Sequence, residues 1–340
     1  MKVVRHILVP SFNMVRKLPV NFNDEDIKYF EQELKRSCDG IAYASAKNVI
    51  LDLHKGVALN GLSVIPESLV CPLLIPNYNL AYRLRTLFRL RKLLRNGPYL
   101  LAYTSYCEGY GHWMSDTIPR LYMMRNLLSD FKLLLPSNYT HSFYLESLQP
   151  FSNLKKEQIY YESSKFCLVD EIVIPGHAGP SFCNVKDEIL QEIRDLYHGT
   201  FQISQKSPWR KIYVSRAKTS RRYVLNEDEV VELLKEKGFE IIHSQELSFA
   251  EQVHLSSESL IMIGLTGSGL NNMMFMKPGS KVLEFKMKND YHNLHYFGFA
   301  SGLKIDYYYQ ICETFGEKRF EANFRIDINL LRHNIEKMMC

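Results

Sequence analysis

The sequence predicts an α/β protein of two lobes, the second of them Rossmann-like. Three observations carry this. The chain has 340 residues, more than the roughly 100–200 of one ordinary domain. From about residue 208, strand-like and helix-like segments alternate, which requires crossovers and a parallel sheet with helices on both faces. One of those strands also runs into a glycine-rich turn that opens a helix, Gly267-Ser268-Gly269. With 46% hydrophobic and 23% charged residues the composition is that of a globular protein and excludes wholesale disorder or a fibrous repeat.

The first lobe is expected over residues 1–200. Its opening part holds short strand-like pieces at 7–9, 49–53, 64–65 and 73–75, with no sheet order legible among them. Between 80 and 95, Arg83, Arg85, Arg89, Arg91, Lys92 and Arg95 are set among leucines, and Gly97-Pro98 ends the segment. Helical spacing puts Leu80, Leu84, Leu87, Phe88 and Leu94 on one stripe, which Arg91 interrupts, and Arg85, Arg89 and Lys92 opposite. The segment reads either as a core-packed helix with a solvated arginine face or as a contact with an anionic membrane. After a strand at 100–104, Pro119 fits the first turn of a helix over 121–128, so His112 and Asp116 are expected at or just before a helix amino end. A helix over 184–198, with Val185, Ile189, Ile193 and Leu196 at helical spacing, is expected to bridge the lobes, and Ser207-Pro208 marks the boundary.

The second lobe is expected over 208–320, with strands at 211–215, 239–243, 260–264 and 281–285. Its helices fall at 226–237, with acids in the first turn and Gly238 behind, at 249–256 and at 268–276. The tail, 321–340, contains a last helix at 329–339 that is expected to pack back on the first lobe.

Seven scattered cysteines, Cys38, Cys71, Cys107, Cys167, Cys183, Cys312 and Cys340, form no Cys-x-x-Cys pair, so neither a disulfide framework nor a structural zinc site is expected. Unpaired thiols suit a reducing compartment. The first ten residues lack the apolar run of about 7–15 residues of a signal peptide, and no stretch approaches the roughly 18 apolar residues of a membrane span. The expected location is the cytoplasm, or the inner face of a membrane as a peripheral protein, which leaves the sequon Asn138-Tyr139-Thr140 without consequence. A balance of 42 Lys+Arg against 37 Asp+Glu gives a net charge of +5, and the pI near 8.6 lies below the roughly 9 that marks nucleic-acid domains. No nucleic-acid partner is expected.

Ligands of doubly wound sheets bind beyond the carboxyl ends of the strands. There the chain places Thr266-Gly267-Ser268-Gly269-Leu270-Asn271. Free N–H groups at a helix start, approached closely over glycine, suit a diphosphate. A tight strand-to-helix turn uses the same residues, and the third glycine of the dinucleotide fingerprint is missing. Arg216 ends the lobe's first strand and Arg221 and Arg222 follow it. Their guanidinium forks match phosphate oxygens, or else form a solvated basic loop. Glu284, at the end of the strand 281–285, suits ribose hydroxyls or simple solvation. Asp24-Glu25-Asp26 has the Asp-x-Asp spacing of metal-dependent sugar transferases but reads better as acids opening a helix. His292 and His295 are spaced for one helix face and lack a third ligand, so no metal is assigned.

In order and spacing, Arg216, Arg221-Arg222, Asn226-Glu227-Asp228-Glu229, Gly238-Phe239-Glu240, Ser248-Phe249-Ala250-Glu251-Gln252 and the run 267–276, continued through Pro278-Gly279-Ser280 to Glu284, resemble glycosyltransferase family 61. His112-Trp113, Asp116 and Pro119-Arg120 resemble the family's patch in the first lobe. Where the family reads His-Gly-Ala-Gly-Leu, this chain has Thr266-Gly267-Ser268-Gly269-Leu270.

The resemblance implies a GT-B fold of two Rossmann-like lobes with an interlobe cleft. It implies a UDP-sugar donor, held by Arg216, Arg221, Arg222, Thr266, Gly267, Ser268, Gly269, Asn271 and Glu284. The implied reaction moves xylose, arabinose or N-acetylglucosamine to a glycan hydroxyl with inversion, without a metal or other cofactor. The bacterial type of member, in capsular or lipid-linked polysaccharide synthesis, is the one this chain resembles. An inverting transfer needs a base on the acceptor side. Asp116 is the expected base, kept ionised by the helix amino end, and His112, four residues earlier, its partner or an acceptor ligand. Two other readings compete: a nicotinamide- or S-adenosylmethionine-dependent enzyme on the same sheet, and a non-catalytic regulator that binds a sugar nucleotide or polysaccharide, with Thr266 marking a degenerate site.

Overall fold

The computed structural model describes residues 2–179, 185–219, 221–316 and 321–339. The chain divides into two compact units, 1–13 with 37–189 and 14–36 with 190–340. Residues 14–36, expected in the first lobe, therefore group with the second unit.

The first unit opens with β1 (Val4–Val9). The ribbon of β2 (Phe12–Val15) and β3 (Lys35–Cys38) leads the chain out to the short helix α1 (Glu31–Leu34) and back. There follow β4 (Ile41–Asp52), β5 (Val57–Asn60), β6 (Ser63–Val64), α2 (Leu80–Leu87), β7 (Lys92–Leu94) and β8 (Tyr99–Leu100). After α3 (Tyr110–His112) and α4 (Ile118–Met123) come β9 (Lys132–Pro136), α5 (Ser142–Glu146), β10 (Ile159–Glu162) and β11 (Phe166–Pro175). One mixed sheet results, in the order β10-β9-β8-β11-β4-β5-β6, with β1 added to β4 and β7 to β11. The β10, β9, β8, β7 and β11 side is parallel. Antiparallel pairing joins β11 to β4 along its length, from Phe166 opposite Asp52 to Pro175 opposite Tyr43.

Three expectations change here. The piece 73–75 lies in a 3-10 helix, Pro72–Asn77, because Pro72 and Pro76 cannot donate to a strand ladder and Pro72 suits a helix start. The segment 80–95 is not one helix. α2 stops at Leu87, and Leu94, placed on its apolar stripe by spacing, is instead buried on β7 beside β11. Arg91 interrupted the stripe because it stands beyond the helix and returns its guanidinium to the Leu87 carbonyl of the last turn. Finally, the chain is helical from Tyr110 to Met123, through a π turn at Trp113–Thr117 whose wide ring is closed by Ile118 N–H on the Trp113 carbonyl. His112 and Asp116 thus lie inside a helix, with Pro119 in the turn that follows the π widening.

Helix α6 (Asp187–Thr200) carries the chain into the second unit. That unit runs β12 (Arg210–Val214), α7 (Glu227–Glu236), β13 (Glu240–Ile242), α8 (Phe249–Ser257) and β14 (Ser259–Leu265). It continues through a 3-10 helix (Ser268–Phe275), β15 (Lys281–Met287), α9 (His295–Gly302), β16 (Asp306–Phe315), β17 (Asn323–Arg325) and α10 (Ile328–Met339). The sheet order is β13-β12-β14-β15-β16-β17, parallel except for the last pair. Gly238, at φ 75°, ends α7 in the left-handed conformation that costs glycine least, and Ser248 with Glu251 forms a capping box on α8. The final helix, expected to return to the first lobe, packs in the second unit. Its Leu331, Ile335 and Met338 join Val230, Leu234 and Phe285 in one core.

Candidate functional site

In the second unit the chain goes from β12 outward to β13 and back across to β14. The point where such an order reverses leaves a crevice at the carboxyl ends of the two central strands. Arg216 follows β12 there, and Gly267 follows β14. A methyl group on Gly267 would stand 2.5 Å from Arg216 Nη1, so the guanidinium lies directly on the glycine backbone, in a place only glycine leaves open. Gly269 is needed for packing: a Cβ there would meet Val214 Cγ1 at 2.6 Å. Together these glycines seat the start of the 3-10 helix between the ends of both strands, with Ser268 exposed at its first position.

The loop after β12 folds back on its own arginine. Arg216 donates from Nε to the Arg222 carbonyl at 2.8 Å and from Nη2 to the Arg221 carbonyl at 3.1 Å. Arg222 sits at φ 53°, a left-handed backbone that costs a non-glycine residue about 1 kcal/mol or more, and its buried Nε has no partner among the described residues. Burial lowers the pKa of both Arg216 and Arg222, and each is lowered further by a neighbouring arginine. Among the described residues none of Arg216, Arg221 and Arg222 takes part in an ion pair. The Asp290 carboxylate partly offsets this at Arg222, whereas Arg216 has no carboxylate acting on it, and desolvated cations that repel each other without an ion-pair partner suit an anion. Arg221 is exposed at its edge.

The remaining predicted residues support this turn from behind. Thr266 is 5% exposed, and its hydroxyl lies 2.5 Å from Glu284 Oε1 and 3.1 Å from the Phe285 carbonyl. Glu284 is fully buried, and Tyr307 donates to its second oxygen at 2.5 Å. With both oxygens engaged, Glu284 faces no solvent and offers nothing to a ribose. Its place is under the turn because β15 is an inner strand, covered on both faces. Asn271 is held by His295, whose Nε2 stands 2.6 Å from its Oδ1. His292 precedes α9 rather than sharing a face of it with His295, and Asp24 and Asp26 open a 3-10 helix capped by Asn23. No group of three metal-binding side chains occurs among the described residues.

The first unit carries a second cluster, also past the carboxyl ends of neighbouring parallel strands, here β8 and β11. Its centre is Asp116, 2% exposed. Oδ1 accepts from Arg120 Nε at 2.8 Å and lies 2.9 Å from His177 Nδ1, while Oδ2 accepts from Thr104 Oγ1 at 3.0 Å and from the Cys107 thiol at 3.5 Å. Burial by itself would raise the Asp116 pKa. The Arg120 charge and the His177 hydrogen bond outweigh it and hold the carboxyl well below the usual range. The same burial, with Asp116 nearby, pushes the Cys107 thiol up to about 12, so it stays protonated as a donor. Arg120 is fully buried and spends its other donors on the carbonyls of Glu67, Leu69 and Pro175, all at 2.7–2.8 Å. Burial lowers the pKa of His112, opposed by Asp116 and assisted by His177. Trp113 fixes the helix to the layer beside it, donating to Ser147 at 2.8 Å and meeting Tyr144 edge-on at 4.8 Å.

His177 had no sequence signal. It lies 61 residues from Asp116 in a plain Gly-His-Ala-Gly context, and only the pairing of β11 beside β8 brings it to the carboxylate. The available hint was its place just after a strong strand pattern ending at Pro175.

No curated protein matches the chain. The profile of the Glycosyltransferase 61 family matches residues 110–283, more than half the chain and a span that holds Asp116, Arg120, His177, the three arginines and the glycine turn. The chain belongs to glycosyltransferase family 61.

Proposed function

We propose that this glycosyltransferase takes its sugar from a UDP-sugar, of the xylose, arabinose or N-acetylglucosamine type, and transfers it with inversion to a glycan hydroxyl in surface polysaccharide synthesis of the bacterial kind. The two units work as the lobes of a GT-B enzyme, the second holding the donor. The observation that supports this most is Arg216 lying on Gly267 at the switch point, with Arg222 beside it and no carboxylate paired to either. The leaving diphosphate supplies the missing negative charge, and preorganised donors of this kind stabilise it as it departs. Guanidinium groups then do what a divalent ion does in other transferases, so EDTA leaves the rate unchanged. The acceptor is a lipid-linked glycan, met at an anionic membrane face by the basic segment 80–95.

Thermal melts with UDP, GDP, NAD and S-adenosylmethionine, followed by product release from a panel of UDP-sugars, test the reading. UDP alone should raise the transition, and one UDP-sugar should turn over. Stabilisation by NAD or S-adenosylmethionine instead would assign the site to a different chemistry. UDP binding without turnover of any sugar would make the protein a regulator.

A further inference from the structure

Resting on the glycosyltransferase reading above, we propose that His177 is the base of the transfer and that Asp116 is the residue that positions it. The side chain of His177 is 6% exposed, with Nδ1 on Asp116 Oδ1 at 2.9 Å. Because an ionised carboxylate only accepts, Nδ1 carries the ring proton and Nε2 presents a lone pair. That Nε2 is buried and has no hydrogen-bond partner among the described residues. An orphaned acceptor beside a carboxylate whose two oxygens are both paired marks the place of a missing donor. An acceptor hydroxyl is such a donor.

Asp116 is poorly suited to the base role that its sequence position suggests. Both oxygens are occupied by Arg120, His177, Thr104 and Cys107. A carboxylate held so far below its ordinary range also has little affinity for a proton at neutral pH. What it does well is fix the imidazole tautomer and steady an imidazolium, as the aspartate of a catalytic triad does. Among the described residues, the charged and titratable groups that act on His177 or on Asp116 beside it include Asp116, Arg120 and His112 from the helix 110–123 and the Cys107 thiol from the loop after β8. His112 keeps the role of an acceptor ligand.

In the transfer, a lone pair of the acceptor oxygen bonds to the anomeric carbon as the hydroxyl proton passes to Nε2. The bond from that carbon to the diphosphate oxygen breaks on the opposite side, and its electron pair leaves with UDP. The imidazolium later returns its proton to water.

The test uses the full chain and UDP release from UDP-xylose, UDP-arabinose and UDP-N-acetylglucosamine across pH 5–9. His177→Gln should bind UDP as the wild type does and lose roughly 10²–10⁴-fold in turnover, the range of a positioned base. The wild-type rate should fall on the acid side with a histidine ionisation, and Asp116→Asn should lower the rate and move that limb to lower pH, which a purely structural carboxylate would not do. If His177→Gln does not fold, His177→Asn, whose amide replaces Nδ1 toward Asp116, takes its place. Retention of more than about a tenth of wild-type turnover by either folded variant, or a wild-type profile without an acid limb, overturns the assignment. A wild type that releases no UDP from any donor overturns the transfer reading itself, and this role with it.

Discussion

Arg216 sets a test in which function and stability move apart. Its guanidinium is desolvated and flanked by Arg222 and Arg221 without a carboxylate partner, an arrangement that costs the empty protein free energy and gains it only with an anion bound. Arg216→Ala should therefore weaken UDP binding by about 2–4 kcal/mol while leaving the melting temperature without ligand unchanged or higher. Calorimetric titration and thermal melts on the same sample check both halves, and a variant that loses stability but binds UDP normally contradicts the site. The glycines sort likewise. Gly267→Ala pushes on the far end of the Arg216 side chain and should cost UDP affinity more than stability, whereas Gly269→Ala meets Val214 of a packed strand and should destabilise by roughly 1–3 kcal/mol.

Asp116 carries a pH signature at the same scale. Its folded-state pKa is depressed, so its stabilisation is complete above the unfolded value of about 3.9 and drains away as pH falls below it. The stability gap between wild type and Asp116→Asn should be widest above about pH 5 and narrow toward about pH 2. Thermal melts over that range would show it, and a gap independent of pH would mean that the carboxylate is not ionised in the fold. The residues of the glycine turn and the arginines were legible because each stands in a short local pattern. His177 was not, because its partner reaches it only through the sheet, and Glu284 was misplaced because strand position does not say which face a side chain takes.

At the scale of elements, the second unit's strands and helices from β12 to β15 and its last helix were readable to within a residue or two from alternation, acids in first turns and Gly238, whereas α9, β16 and β17 were not foreseen. The first unit resisted, because its sheet mixes parallel and antiparallel pairs and several strands are two to four residues long. The segment 80–95 shows the reason: helical spacing continued past Leu87, but pairing with β11 took over. What remains outside the core there is unusual. Phe88 is 81% and Leu90 98% exposed, with Leu80 at 59%, and Arg85, Arg89, Lys92 and Arg95 are exposed around them. Apolar tips within a basic ring match an anionic lipid surface, where each basic residue contributes about 1 kcal/mol. No helix among the described residues is long and apolar enough to cross a membrane. Flotation with phosphatidylglycerol vesicles should show salt-sensitive binding that Arg85→Glu with Arg89→Glu abolishes and Phe88→Ser weakens. Equal flotation on neutral vesicles, or none on anionic ones, removes the membrane from the proposal.

For the whole molecule, chain order and spatial grouping part company at residues 14–36. Sequence places them in the first lobe because they come early, yet their side chains complete the second unit. Phe30 is fully buried, 4.8 Å from the Tyr309 ring and 5.0 Å from that of Phe297. Asn21 donates to the Tyr309 carbonyl at 2.7 Å and to Asn334 of α10 at 3.0 Å. No local pattern announces such contacts, since nearly three hundred residues of chain separate the partners and periodicity reads only neighbours. The second unit is thus built from an early segment as well as from the latter half of the chain, and its stability depends on residues 14–36. Phe30→Ala removes a large ring from a closed aromatic cluster, at a cost of about 3–5 kcal/mol. In a unit of this size that lowers its melting transition by roughly 10 °C. The transition affected should be the one that UDP raises, because ligand and Phe30 stabilise the same body. UDP affinity measured well below that transition should fall less than in Arg216→Ala, since Phe30 reaches the glycine turn only through the Tyr307 ring, 6.2 Å away, and the Tyr307–Glu284–Thr266 hydrogen bonds. If Phe30→Ala instead shifted a transition insensitive to UDP, residues 14–36 would belong to the acceptor side and the division of the chain would have to be redrawn.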